Sequence, residues 1–304
     1  MIKNPAVKGY LWTFISVIAL SNVYIFSKAA LNEVHIAQFG VYWFGLGMLW
    51  NLIFTIKTCK FSTIRKISHR TAGILIVIGI LETTATTLFF LGLFTIENPS
   101  VTSFLGNMGP IFVTILGVSL LKERFTYLEF IGMLLTLAGA FIISYRGSDT
   151  LGDIFIKGTG YVVLGSLVFS FSTIIVKKNV GKSLSPAIIS LNRTIFLFVF
   201  AFVMMFYYRN SFAIPASALL NITIGSVLGP FLAVIAAYNA LKYIEASRTS
   251  ILGSTKSLFV LFGSYLYFHN LPQTLQIIGG ILTIIGVLLI SFGKMIVSKE
   301  EIRD

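Results

Sequence analysis

VTSFLGNMGP, Val101–Pro110, and RTSILGSTKS, Arg248–Ser257, lie 147 residues apart in a chain of 304. Under that shift Thr102, Ser103, Leu105 and Gly106 fall on Thr249, Ser250, Leu252 and Gly253. The same shift carries Gly132, Thr136, Gly139 and Ser144 onto Gly279, Thr283, Gly286 and Ser291. Near the start of each half a shift of 149 carries Lys8, Gly9, Ser21 and Lys28 onto Lys157, Gly158, Ser170 and Lys177. Lysines, glycines and hydroxyl residues match as well as apolar ones, so this is an internal repeat rather than chance likeness between greasy segments.

Composition says what kind of repeat it is. The chain is 56% hydrophobic and 11% charged, with mean hydropathy +0.90. A soluble domain carries about 25% charge, so this chain reads as an integral membrane protein throughout. Ten apolar segments have about the length that spans a bilayer core: 9–29, 36–56, 71–93, 100–121, 126–145, 158–177, 185–207, 219–241, 247–268 and 273–293. The first is too long for a signal-peptide core and is read as a retained helix. Cys59 is the one cysteine, which excludes an internal disulfide.

The net charge of +12 orients the chain rather than marking a nucleic-acid surface. Counting Lys and Arg in alternate loops puts 17 on one side and 4 on the other, with Arg193 and Lys256 inside segments. The positive-inside rule then places both termini in the cytoplasm, in a plasma membrane (bacterial inner membrane). Five segments per half is an odd number, so the second half enters from the opposite side. The expectation is an all-α membrane protein of ten transmembrane helices in two inverted five-helix repeats, residues 1–147 and 148–304, the second with a short cytoplasmic tail. Inverted repeats point to a secondary transporter that holds substrate near the midplane.

Three runs in the first half carry a family resemblance: GNMGPIFVTILG with its mid-span Pro110, then LLKERFT with Glu123, then EFIGMLLTLAGAFIIS with Gly132 and Gly139. This series resembles the EamA family of the drug/metabolite transporter superfamily, and the likeness spans both halves. In the second half Ser257 stands where the proline would be and Asn270 where the glutamate would be. The resemblance implies a ten-helix bundle, alternating access, and substrates among small metabolites, amino acids or drugs.

The residues themselves suggest where the path runs. Ser100, Ser103, Asn107, Pro110 and Thr114 recur at helical spacing, as do Ser247, Ser250, Ser254, Ser257 and Ser264. Such stripes either pack helices closely or face a wet central cavity, and the matched pair favours the cavity. Pro110, and Pro230 just after Gly225 and Gly229, are hinge candidates.

Three ionisable residues lie deep in spans: Glu82, Arg193 and Lys256. Each costs about 2.5–3.5 kcal/mol at a helix centre, so each is a site candidate. Glu82 and Lys256 have similar depth, and an ion pair between them is the structural alternative to a binding role. Two cations against one carboxylate favour a substrate with an anionic group. Tyr24, Tyr238 and Asn239 are further candidates for contact.

No HExxH, GxSxG or P-loop is present, which argues against an enzyme and against an ATP-driven pump. No cofactor and no metal is expected. The expected function is secondary transport, with export as the favoured direction, of a small organic metabolite that is amino-acid-like or carries a carboxylate. The expected partners are that substrate and the lipid bilayer, with a proton or counter-substrate as candidate coupling species and no nucleic acid. The runner-up is a multidrug or cationic-compound exporter coupled to protons through Glu82. A structural or receptor-like membrane protein is the remaining alternative.

Overall fold

The computed structural model describes residues 5–58, 68–121, 126–144, 156–181, 184–253 and 255–300. Among them the chain is helical, with no named strand. In chain order the elements are α1 (Pro5–Leu31), α2 (Ile36–Thr58), α3 (His69–Thr95), α4 (Pro99–Leu105), α5 (Met108–Leu121), α6 (Tyr127–Ser144), α7 (Thr159–Asn179) and α8 (Pro186–Tyr207). Then come α9 (Ala216–Ser226), a π-helical stretch (Val227–Ala233), α10 (Val234–Tyr243), α11 (Ala246–Gly253), α12 (Lys256–Phe268) and α13 (Thr274–Glu300).

The helices begin where local chemistry supplies caps. Asn98 precedes Pro99 and accepts from the Ser100 N–H at 2.9 Å. Ser185 precedes Pro186 and accepts from the Ile188 N–H at 3.3 Å. In both, a capping side chain satisfies an end donor, and proline takes a first-turn position that needs none.

Among the described residues, seven spans are long and apolar enough to cross a bilayer: 5–31, 36–58, 69–95, 99–120, 159–179, 186–207 and 216–243. Tyr127–Ile143 and Thr274–Leu289 are apolar but shorter. The ninth expected segment is divided, with halves of 8 and 13 residues. Large side chains cover the outside: Ile56 is 69% exposed and Phe262 65%. Thr13, Ser16, Asn51, Ser190 and Thr194 are buried instead. That inside-out distribution suits a protein solvated by lipid.

Packing follows a twofold exchange of the halves. α6 packs along α13, and α2 along α8. The α3–α7 pair is matched by α1 against the α9–α10 rod, and α5–α7 by α12–α1. The α6–α13 seam gives the direction. A Cβ on Gly139 would stand 2.6 Å from the Gly279 carbonyl, and one on Gly286 would stand 2.5 Å from the Gly132 carbonyl. Rising position in α6 meets falling position in α13, so these repeat-equivalent helices run antiparallel. Thr283 faces Gly139 as Thr136 faces Gly286, which is the same contact exchanged between halves.

Two lysines repeat the exchange at helix ends. Lys28 Nζ donates to the carbonyls of Leu93, Phe94 and Ile96 at 3.0, 3.2 and 2.8 Å. Lys177 Nζ donates to those of Leu241 and Ile244 at 2.8 and 2.6 Å. Each ammonium satisfies the open C-terminal carbonyls of the helix packed beside it.

Candidate functional site

Both helix rods built from the opening stretches are broken, at matching places. The first breaks between α4 and α5 at Gly106–Asn107; the second breaks between α11 and α12 before Lys256. A shift of 147 carries Asn107 onto Ser254. Pro110 falls in the first turn of α5, where its missing N–H costs no helical bond. The expected mid-helix kink is therefore an interruption just upstream of the proline.

Pro230 sits within the π-helical stretch. Carbonyls there take donors from neighbouring helices. Asn51 Nδ2 donates to the Pro230 carbonyl at 2.8 Å, and Ser16 Oγ to the Ala233 carbonyl at 2.8 Å. Asn51 Oδ1 in turn accepts from Ser190 Oγ at 2.7 Å. Gly225 lies against the Trp43 ring, too close to it for a Cβ, and Gly229 lies against Val23 and the same ring. The irregular backbone is thus buried and paired.

Between these rods lies a cavity of about 270 Å³. Its aromatic wall includes Tyr24, Trp43, Phe44, Phe89, Phe90 and Tyr238. Tyr24 and Phe89 meet edge-to-face at 5.0 Å, as do Phe89 and Phe90 at 5.0 Å. Both proline candidates, Pro110 and Pro230, reach the wall, and so do Arg193 and Lys256. Among the described residues, no Asp or Glu lines it.

The structural alternative raised from the sequence, an ion pair between Glu82 and Lys256, does not form. Glu82 bonds to Arg193, not Lys256: Arg193 Nε lies 2.9 Å from Glu82 Oε2. Arg193 Nη2 donates to Thr86 Oγ1 at 2.9 Å. Glu82 Oε1 accepts from Ser172 at 2.6 Å and from Tyr238 at 3.3 Å. Glu82 is 1% exposed and stands behind the wall, fully engaged. The physical reason is reach. Arg193 lies seven residues past the first residue of α8 and Glu82 thirteen past the first residue of α3, and the long arginine side chain covers the difference.

Lys256, 9% exposed, opens α12 at the break. Among the described residues it has no hydrogen-bond or ion-pair partner. Among the described residues Arg193 Nη1 is also buried without an acceptor. So the cavity carries two cationic groups with donors to spare, and a half-helix N-terminus beside one of them adds partial positive charge.

The polar stripe divides. Ser103, Asn107 and Ser257 do not line the cavity. Ser257 Oγ donates to the Ser103 carbonyl at 3.0 Å and lies 3.2 Å from Asn107 Oδ1. Asn107 Nδ2 donates to Thr283 Oγ1 at 3.1 Å. These groups tie the two breaks to each other and to α13, so the expectation that they face the cavity is corrected to interhelical bonding. Asn239 bonds the Ile235 carbonyl of its own helix at 2.9 Å and is absent from the wall. Ser254 and Glu123 lie outside the described residues, as does the side chain of Ser250.

Sequence reasoning missed Ser172 and Thr86 as partners of the ion pair, and Trp43, Phe89 and Phe90 as wall. Aromatic residues are too common in apolar spans to stand out. The capping lysines did carry a signal, since both are in the repeat match.

Comparison with known proteins agrees with this architecture. A solved crystal structure superposes on 92% of this chain and 95% of its own with a TM-score of 0.71, at 13% identity, which shows a shared fold. A Synechocystis sp. protein named an uncharacterized transporter is 23% identical over 220 residues. That match takes in 68% of this chain and 62% of the relative's length. Residues 7–145 and 156–292 each match the EamA-like transporter family. The chain is an integral membrane protein that belongs to the EamA-like transporter family.

Proposed function

We propose that the protein is a secondary exporter of a small carboxylate-bearing metabolite, working by alternating access between two inverted five-helix repeats. The observation that carries the substrate class is the pairing of Arg193 and Lys256 in a wall with no described carboxylate. A carboxylate leaving water needs fixed positive charge and donors, and both groups have donors unspent. A cationic cargo would meet like charge there, and Glu82, the acid it would need, is already held by three side chains.

The antiparallel α6–α13 seam supports the inverted relation of the halves. On this reading all ten rods span the bilayer, the divided ones included, and both termini are cytoplasmic in a plasma membrane. The paired breaks are the discontinuous helices that transporters place at their binding sites.

The experiment is a stability screen of the purified protein against carboxylates, amines and neutral metabolites. A ligand that binds the folded state raises apparent stability. Carboxylates alone should shift it; a shift by amines alone would refute the reading.

A further inference from the structure

We propose that the substrate is an aromatic monocarboxylate without an ammonium group, rather than an amino acid. The inference rests on the carboxylate reading above and narrows it. Charge is the first argument. Arg193, Lys256 and Glu82 together leave the site with one uncompensated positive charge. A monoanion brings that to zero. A zwitterionic amino acid leaves it unchanged and adds a third buried cation, which must also be desolvated.

The second argument is the supply of acceptors. An ammonium has three donors to satisfy. Among the described residues the cavity wall has no carboxylate. The Glu82 oxygens accept from Arg193, Ser172 and Tyr238. Carbonyls beside the breaks already accept at least one donor each: Ser103 from Ser257 Oγ, Thr102 from the Gly106 N–H, Gly106 from the Gly109 N–H, and Leu252 from the Thr255 hydroxyl.

The third argument concerns the substrate's body. Tyr24, Trp43, Phe44, Phe89, Phe90 and Phe169 line the same cavity, which suits a planar ring packed face or edge against rings. The volume of about 270 Å³ accommodates one ring and a short acid chain.

The test uses the wild-type protein in detergent and three probes of one skeleton: 3-phenylpropionate, phenylalanine and phenethylamine. Affinity is read by equilibrium binding, with hexanoate as a control for the ring. The expected result is binding of 3-phenylpropionate about tenfold or more tighter than phenylalanine, weaker binding of hexanoate, and none of phenethylamine. Phenylalanine binding as tightly as 3-phenylpropionate would overturn this inference and leave the carboxylate reading standing. Hexanoate binding as tightly would overturn the aromatic part. Binding of phenethylamine alone would overturn both readings, and binding of none of the four would overturn this inference.

Discussion

Removing Arg193 should cost more than removing Lys256, because among the described residues Arg193 has a buried countercharge and Lys256 has none. With Nε 2.9 Å from Oε2, the charge centres stand roughly 4 Å apart, and their attraction is about 4 kcal/mol at an effective dielectric of 20. Glu82 is 1% exposed and the Arg193 side chain 10%, so water cannot replace a lost partner. In Arg193→Met, Glu82 keeps Ser172 and Tyr238 on one oxygen and loses all donors on the other. The expected loss is about 3–5 kcal/mol. Glu82→Gln strands the guanidinium and should cost a similar amount. The double substitution removes both charges and should recover much of the loss, with a coupling of about 3 kcal/mol. Glu82→Gln combined with Lys256→Met should instead be additive within about 0.5 kcal/mol. Reversible unfolding by SDS in mixed micelles measures all of these. Additive losses at Glu82 and Arg193, or strong coupling between Glu82 and Lys256, would refute the reasoning.

Three other substitutions probe the scaffold. Gly139→Ala puts a Cβ against the Gly279 carbonyl and should cost about 1–3 kcal/mol by forcing α6 and α13 apart, read in the same unfolding assay; an unchanged value would refute the close crossing. Asn51→Ala orphans the Pro230 carbonyl and the Ser190 hydroxyl, for a loss of about 2–3 kcal/mol. It should also speed hydrogen exchange across residues 227–233, and unaltered exchange there would count against Asn51 as the brace. Lys28→Met leaves the end of α3 without its cap and should lose about 2 kcal/mol; Lys28→Arg should recover part of it, and equal losses in both would speak against the capping role.

The fold was largely legible because its signals are long-range and redundant. The 147-residue shift placed Gly132 and Gly139 on Gly279 and Gly286, and those four residues form the antiparallel seam. The same register aligned the two helix breaks. The site was legible only in its ingredients. Glu82, Arg193 and Lys256 stood out because charge in an apolar span is costly. Which of them pair depends on side-chain reach and helix rotation, and span counting resolves neither. The serine stripe misled for a related reason: a small hydroxyl serves a helix crossing or a wet wall equally well. At Ser257 the facing Ser103 carbonyl decides for the crossing.

Counterflow in proteoliposomes measures the central claim most directly, that Lys256 meets a substrate carboxylate in transit. Vesicles holding purified protein are loaded with unlabelled 3-phenylpropionate and diluted into a trace of the labelled compound. The wild type should accumulate label transiently. Lys256→Met, at equal folded content, should stay near the protein-free baseline, with Lys256→Arg in between. Accumulation by Lys256→Met at the wild-type rate would contradict the account.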